Sequence, residues 1–162
     1  MIVELSWAEF LRAKRVGLRR FESSEGRGLN AASSYRRGWV ERVHDDIIGA
    51  CGELAFCRAI GVEWDESVDR FHYAADVGVC EVRATRYADG CLIYREHEPA
   101  DRWYYLVTGD PPRMTVRGCV LGRTAMVLGR KVRPRDGRPA WFVAQDDLVP
   151  LRPRPTHSPP SV

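Results

Sequence analysis

The chain lacks any run of about eighteen consecutive apolar residues, the length a membrane-spanning helix requires, which excludes a membrane-embedded class of that kind. The opening stretch, MIVELSWAEFLRAKRVGLRR, has no apolar h-region and no small-residue cleavage site, so it is not read as a secretory signal. Five cysteines are present, an odd number, and no C-x-x-C occurs, which argues against a structural zinc site and a disulfide framework. Most of them lie in apolar periodic segments, where cysteine behaves as a small buried hydrophobe. A reduced, cytoplasmic protein is the expectation. There is no P-loop, no G-x-G-x-x-G and no H-E-x-x-H. The histidines His44, His72, His97 and His157 show no metal-like spacing, and no internal repeat is found. Lysine is scarce: Lys14 and Lys131 are the only ones among 25 basic residues. GC-rich coding explains this, and the spread of arginines along the whole chain favours that account. The functional alternative is phosphate contact, to which the guanidinium fork is suited.

What is present fits one domain, residues 1–150, followed by a proline-rich disordered tail, 151–162. Ser6 and Glu9 form a capping box that opens a helix with an apolar stripe of Trp7, Phe10, Leu11 and Leu18. Arg12, Arg15 and Arg19 share another face of it, either simply solvated or tracking a nucleic-acid backbone. Residues 21–34 read as a loop, with Arg27 between two glycines, a substrate clamp or an ordinary connector. A second helix is expected from Asp45 or Asp46 to about Ile60, stopped by Gly61. It is apolar almost all round and therefore interior. Glu53 sits in its middle. Buried carboxylates are rare unless paired or ligating a metal, so Glu53 either meets an arginine or serves a site. Strands follow over 80–86, 91–95, 103–108 and 114–121, then a short helix over 124–128, a strand over 140–143 and a helical turn over 145–148. Two helices followed by a run of strands indicate α+β, a mixed central β-sheet flanked by helices.

The octapeptide Asp76-Val77-Gly78-Val79-Cys80-Glu81-Val82-Arg83 carries most of the chemistry. Closure of 77–80 around Gly78 places Asp76 opposite Glu81, with Cβ atoms about 4.5–5.5 Å apart. Arg83, two residues on, points to the same face as Glu81. Opposed like charges destabilise a sheet unless a cation lies between them. A divalent ion supplies that charge, and Mg²⁺ takes one or two carboxylates while keeping several waters. The alternative is a solvated hairpin with three exposed charges.

A helix glutamate, an aspartate, a short hairpin and E-x-[K/R] together resemble the PD-(D/E)XK phosphodiesterase superfamily, with its restriction-endonuclease-like core. More narrowly, Gly49-Ala50-Cys51-Gly52-Glu53-Leu54-Ala55-Phe56, Ala75-Asp76-Val77-Gly78 and Glu81-Val82-Arg83-Ala84-Thr85 look like small nuclease-like proteins of phages and prophages. Trp141-Phe142-Val143 and Gln145-Asp146-Asp147-Leu148 extend the likeness, which spans residues 46–151. The resemblance implies Mg²⁺ or Mn²⁺ held by Asp76, Glu81, the carbonyl of Val82 and Glu53. It implies DNA as partner, with RNA and a homodimer left open and no membrane. In a phage-encoded protein the location would be the host cytoplasm. Arg83 stands where the family usually has lysine. Arginine is always protonated and cannot act as a base, though it can stabilise negative charge in a transition state. Arg86, Tyr94 and Arg95 lie near the strands beside the site and, with Arg27, are candidate nucleic-acid contacts.

Three functions compete: a metal-dependent nuclease acting on DNA, a catalytically inactive nucleic-acid-binding module on the same fold, and a phage structural or accessory protein.

Overall fold

The structure, a computed structural model, describes residues 1–26, 38–68, 75–133 and 139–151. It is α+β. The elements run β1 (Ile2–Glu4), α1 (Trp7–Gly26), α2 (Trp39–Ile60), β2 (Cys80–Thr85), β3 (Leu92–Arg95), β4 (Trp103–Asp110), β5 (Arg113–Leu121), α3 (Gly122–Leu128), β6 (Arg130–Val132) and β7 (Ala140–Val143), then a 3₁₀ turn, Gln145–Asp147. No helix among the described residues is long and apolar enough to cross a membrane.

Helix α1 begins as its sequence dictates. The Ser6 amide donates to Glu9 Oε2 at 2.7 Å and the Glu9 amide to Ser6 Oγ at 3.3 Å, both halves of the capping box. The expected stripe is the buried face only in part: Phe10 packs, part-buried, against the core. Ala13, Val16, Gly17 and Ser24 are buried, whereas Trp7 is 71% exposed. Small residues decide this. A Cβ on Gly17 would lie 2.6 Å from the Ile47 Cα, so the two helices cross almost backbone to backbone there. The helix also continues past Phe21, where a loop was expected, to Gly26. Ser24 Oγ returns a bond to the Phe21 carbonyl at 2.9 Å, which lets a serine-rich turn stay helical. Arg27 lies outside the described residues, as do residues 152–162 of the tail.

Helix α2 starts at Trp39, six residues before Asp45, so neither Asp45 nor Asp46 caps it. Contact with the end of α1 stabilises the extra turns: Arg42 pairs with Glu25 and stacks over the Phe21 ring, 5.5 Å from its centroid. Its C-terminus is as expected. Gly61 adopts φ 71° and its amide bonds the Arg58 carbonyl, while the Val62 amide bonds that of Cys57. The helix is apolar nearly all round because α1 covers one side and a sheet the other.

That sheet has the order β1-β5-β4-β2, with β2 and β4 parallel and the other pairs antiparallel. Central strand β4 is buried on both faces: Tyr105 and Val107 face α2, while Tyr104 and Leu106 face a second core. A bulge at Arg117 makes β5 serve both. Leu106 pairs with Gly118 and Val107 with Val116, so one extra residue flips the alternation. Met114 and Val116 therefore pack toward α2, and Val120 packs into the second core. The second core is closed by the antiparallel sheet β3-β7-β6 and α3. Strands β1 and β6, three residues each, are too short to show a periodicity in sequence.

Helix α2 meets β2 at Gly52. A Cβ there would lie 2.4 Å from the Ala84 Cβ. Gly52→Ala is expected to lower stability in chemical denaturation by about 1–3 kcal/mol through overpacking. Adding Ala84→Gly to that variant is expected to recover part of the loss.

Candidate active site

The octapeptide folds into a hairpin. Val77 and Cys80 exchange main-chain bonds of 3.0 and 2.8 Å, leaving Gly78 and Val79 as the central residues. Gly78 takes φ 58°, the positive angle that a hairpin turn with glycine at its first central position requires. The Val77–Cys80 bridge puts Asp76 opposite Glu81. Asp76 Oδ2 then accepts from the Val82 amide at 2.7 Å, so the acid itself closes the turn.

Along β2, Val82 packs toward α2 with Cys80 and Ala84 beside it, and Glu81 and Arg83 project from the other face. There Arg83 lies among three carboxylates. Its Nη2 donates to Glu98 Oε1 at 2.8 Å, while Nη1 stands 3.6 Å from Glu81 Oε2 and 3.8 Å from Asp76 Oδ2. The guanidinium carbon sits 5.4 Å from the Tyr104 ring centroid. Glu81 Oε1 accepts from Arg102 Nη1 at 2.6 Å. Burial, and then the charge on Asp76, push the Glu81 carboxyl above its ordinary range against the pull of Arg102 and Arg83.

Glu53 belongs to a different environment. It is 5% exposed, and its two oxygens accept from Arg20 Nη1 and Nη2 at 2.6 and 2.7 Å. Trp64 Nε1 donates to it at 3.3 Å. Arg20 also holds the Ser67 carbonyl, from Nε at 3.0 Å and Nη2 at 2.7 Å, so one guanidinium ties α1, α2 and the segment after α2 together. Because α2 packs on the face of β2 that bears Val82 and Ala84, Glu53 and the Glu81–Arg83 pair lie on opposite sides of the sheet. Asp76 is close enough for its charge to act on both Glu53 and Glu81. Burial first, opposed by Arg20, pushes the Glu53 carboxyl upward. Asp46, also beside Arg20, is raised to about 6, chiefly by burial.

Among the candidate nucleic-acid contacts, Tyr94 is buried. Its hydroxyl donates to the Glu98 carbonyl at 2.8 Å, and its ring meets Tyr104 edge-on at 5.2 Å. It is a core residue that props the Glu98 turn rather than a surface contact. Arg86 is exposed and stacks on Tyr87, with its guanidinium carbon 5.1 Å from the ring centroid. Arg95 is exposed, and its amide donates to Glu98 Oε2 at 2.9 Å. Arg20, Glu98 and Arg102 have site roles that the sequence reading did not assign. A buried Glu53 demanded an arginine, but nothing local says which one. Glu98 falls between the expected strands 91–95 and 103–108, with nothing local to mark it, and Arg102 reaches Glu81 because β2 and β4 pair in parallel. Among the described residues, no group of three or more His, Cys, Asp or Glu side chains is arranged to hold a metal ion.

Removing one partner of a buried ion pair strands the other charge. Arg20→Met is therefore expected to cost about 3–5 kcal/mol in denaturant unfolding at neutral pH, and Arg20→Met with Glu53→Met less than the single change. Asp46 adds a pH dependence. Its carboxyl binds a proton more tightly in the folded chain, between the ordinary 3.8 and about 6, so its contribution is favourable at low pH and is lost as pH rises through that window. Asp46→Asn is expected to raise the melting temperature at pH 8 and to match the parent near pH 3.

Comparison with protein-family models, with curated proteins and with solved structures finds no match.

Proposed function

We propose that the chain is a metal-dependent phosphodiesterase acting on DNA, a D-x₄-E-x-R form of the PD-(D/E)XK site on a restriction-endonuclease-like core. One observation carries the reading: Asp76 and Glu81, opposed across a tight turn, both approach the same cationic nitrogen, Arg83 Nη1, at 3.8 and 3.6 Å. The place where those two carboxylates converge already suits a positive charge. A pair of carboxylates, with waters completing the shell, is what Mg²⁺ commonly takes from a protein. Asp76, Glu81 and the Val82 carbonyl are the residues that would hold Mg²⁺ or Mn²⁺. Glu53 fits less well, since both its oxygens are committed to Arg20. Its part is to place α2 and its own charge behind Asp76.

The chemistry a bound divalent ion supplies here is polarisation of a phosphate and acidification of a water. The chain's own groups do the rest. Arg83 cannot accept a proton, so it serves as a fixed positive charge toward the phosphoryl oxygens as they gain negative charge. Arg102 orients Glu81 through its 2.6 Å bond. Arg86 and Arg95, both exposed, are available to the nucleic-acid backbone.

A second reading, a non-catalytic nucleic-acid-binding protein on the same fold, is favoured by one feature: the guanidinium of Arg83 already neutralises the acids. Metal dependence separates the two. An enzyme cleaves linear, circular, single-stranded or branched DNA only with Mg²⁺ or Mn²⁺, whereas a binder holds DNA with a salt-sensitive affinity and leaves it intact. Asp76→Asn is expected to lower cleavage by at least about 100-fold, the scale on which loss of one electrostatic stabiliser acts. Its melting temperature should be unchanged or raised, because a like-charge contact with Glu81 is relieved. Cleavage retained by a folded Asp76→Asn chain rejects the assignment.

A further inference from the structure

The contacts of Arg83 are unequal. Nη2 makes a tight bond of 2.8 Å to Glu98, but Nη1 reaches Glu81 and Asp76 only at 3.6 and 3.8 Å. Its Nε is buried without a hydrogen-bond partner, so the guanidinium is anchored at one end only. Its face lies against the Tyr104 ring, 5.4 Å from the centroid, a surface along which a cation can shift without losing contact.

Glu98, by contrast, is fixed from several directions. Oε2 accepts from the Arg95 amide at 2.9 Å, the Glu98 amide donates to the Arg95 carbonyl at 3.0 Å, and the Glu98 carbonyl accepts from the buried Tyr94 hydroxyl at 2.8 Å. The seat for Arg83 is thus prebuilt by the second core. The acids Asp76, Glu81 and Glu98 face the guanidinia of Arg83, Arg95 and Arg102, so the cluster is balanced as it stands. A doubly charged ion entering between Asp76 and Glu81 would meet Arg83 Nη1 at the same place.

Resting on the reading above, we propose that Arg83 is a tethered counter-ion that competes with a divalent cation for Asp76 and Glu81, and that Glu98 is the positioning residue that draws it aside. The site is then regulated from within. Metal entry requires the guanidinium to withdraw toward Glu98, and the strength of the Glu98 bond sets how readily it does so.

The test is direct binding of Mn²⁺, by titration calorimetry and by the Mn²⁺-induced rise in melting temperature, with no nucleic acid present. Arg83→Met is expected to bind Mn²⁺ about tenfold or more tightly than the parent, since an adjacent like charge typically shifts a cation equilibrium by one to three decades. Arg83→Gln, which keeps a donor for Glu98, is measured beside it and should show the same direction if Arg83→Met fails to fold. Glu98→Gln is expected to weaken Mn²⁺ binding, because the released guanidinium settles on the acid pair. Adding Asp76→Asn to either Arg83 variant should abolish the gain. If the parent binds Mn²⁺ and the folded Arg83 variants bind it no better, the competition is refuted while the acid pair remains a metal site. If neither the parent nor any variant binds Mn²⁺, the phosphodiesterase reading falls and this inference with it.

Discussion

Among the described residues, the buried Glu53 and the part-buried Glu81 and Glu98 are each met by a guanidinium, and these pairs tie separate elements together. A buried carboxylate costs several kcal/mol unless its partner has good geometry and its remaining lone pairs are used. Arg20 meets that requirement for Glu53 with two parallel bonds, and gives two further bonds to the Ser67 carbonyl. The fork geometry allows one side chain to fix three segments. A lysine has a single nitrogen and could not do this. Arg102 on Glu81 and Arg83 on Glu98 make single-bonded pairs on the far side of the sheet. At Glu53 the planar, bidentate head of Arg20 has a structural reason of its own.

The two cores divide the labour. The core between α2 and the sheet sets the backbone of β2, because Gly52 allows the helix to seat against Ala84. The second core sets the partners of the outward side chains, since Tyr94 and Tyr104 carry the 98–99 turn through their hydroxyl bonds to the Glu98 and Pro99 carbonyls. The bulge at Arg117 lets one strand feed both. It is tied down from Arg117 Nε to Thr108 Oγ1 at 2.7 Å and from Nη2 to the Ala88 carbonyl at 3.2 Å. A change in either core is transmitted to the acid pair, through the backbone from one side and through Glu98 from the other.

How much of this was legible in the sequence depends on the range of the interaction concerned. The Ser6–Glu9 box, the Gly61 terminus and the Asp76–Glu81 opposition rest on contacts within a few residues, and each is found in the structure. The start of α2 was misread because Arg42 and Glu25, distant in sequence, hold turns that no cap announces. The buried face of α1 was read only in part because Gly17 and Ala13, which hydropathy undervalues, admit the neighbouring helix while Trp7 overhangs. Tyr94 was a candidate nucleic-acid contact on a strand whose partner the sequence does not reveal; the pairing of β3 with β7 encloses it. Glu98 and Arg102 were invisible as site residues for the same reason. They reach Glu81 and Arg83 through tertiary pairing alone, with no local periodicity to mark them.

The residue at position 83 shows how a single atom count can separate two behaviours of one scaffold. A lysine there would present its three donors from one nitrogen, without a planar fork that reaches Glu98 and the Asp76–Glu81 pair from separate atoms. Arginine presents two terminal nitrogens on a rigid plane, and in this chain they serve both at once, tightly on one side and loosely on the other. A shared cation screens the opposed acids of the hairpin from 3.6 and 3.8 Å. The Nε of the same guanidinium is buried without a hydrogen-bond partner. The geometry of the guanidinium, as well as its charge, therefore lets one side chain reach all three acids beside an edge strand.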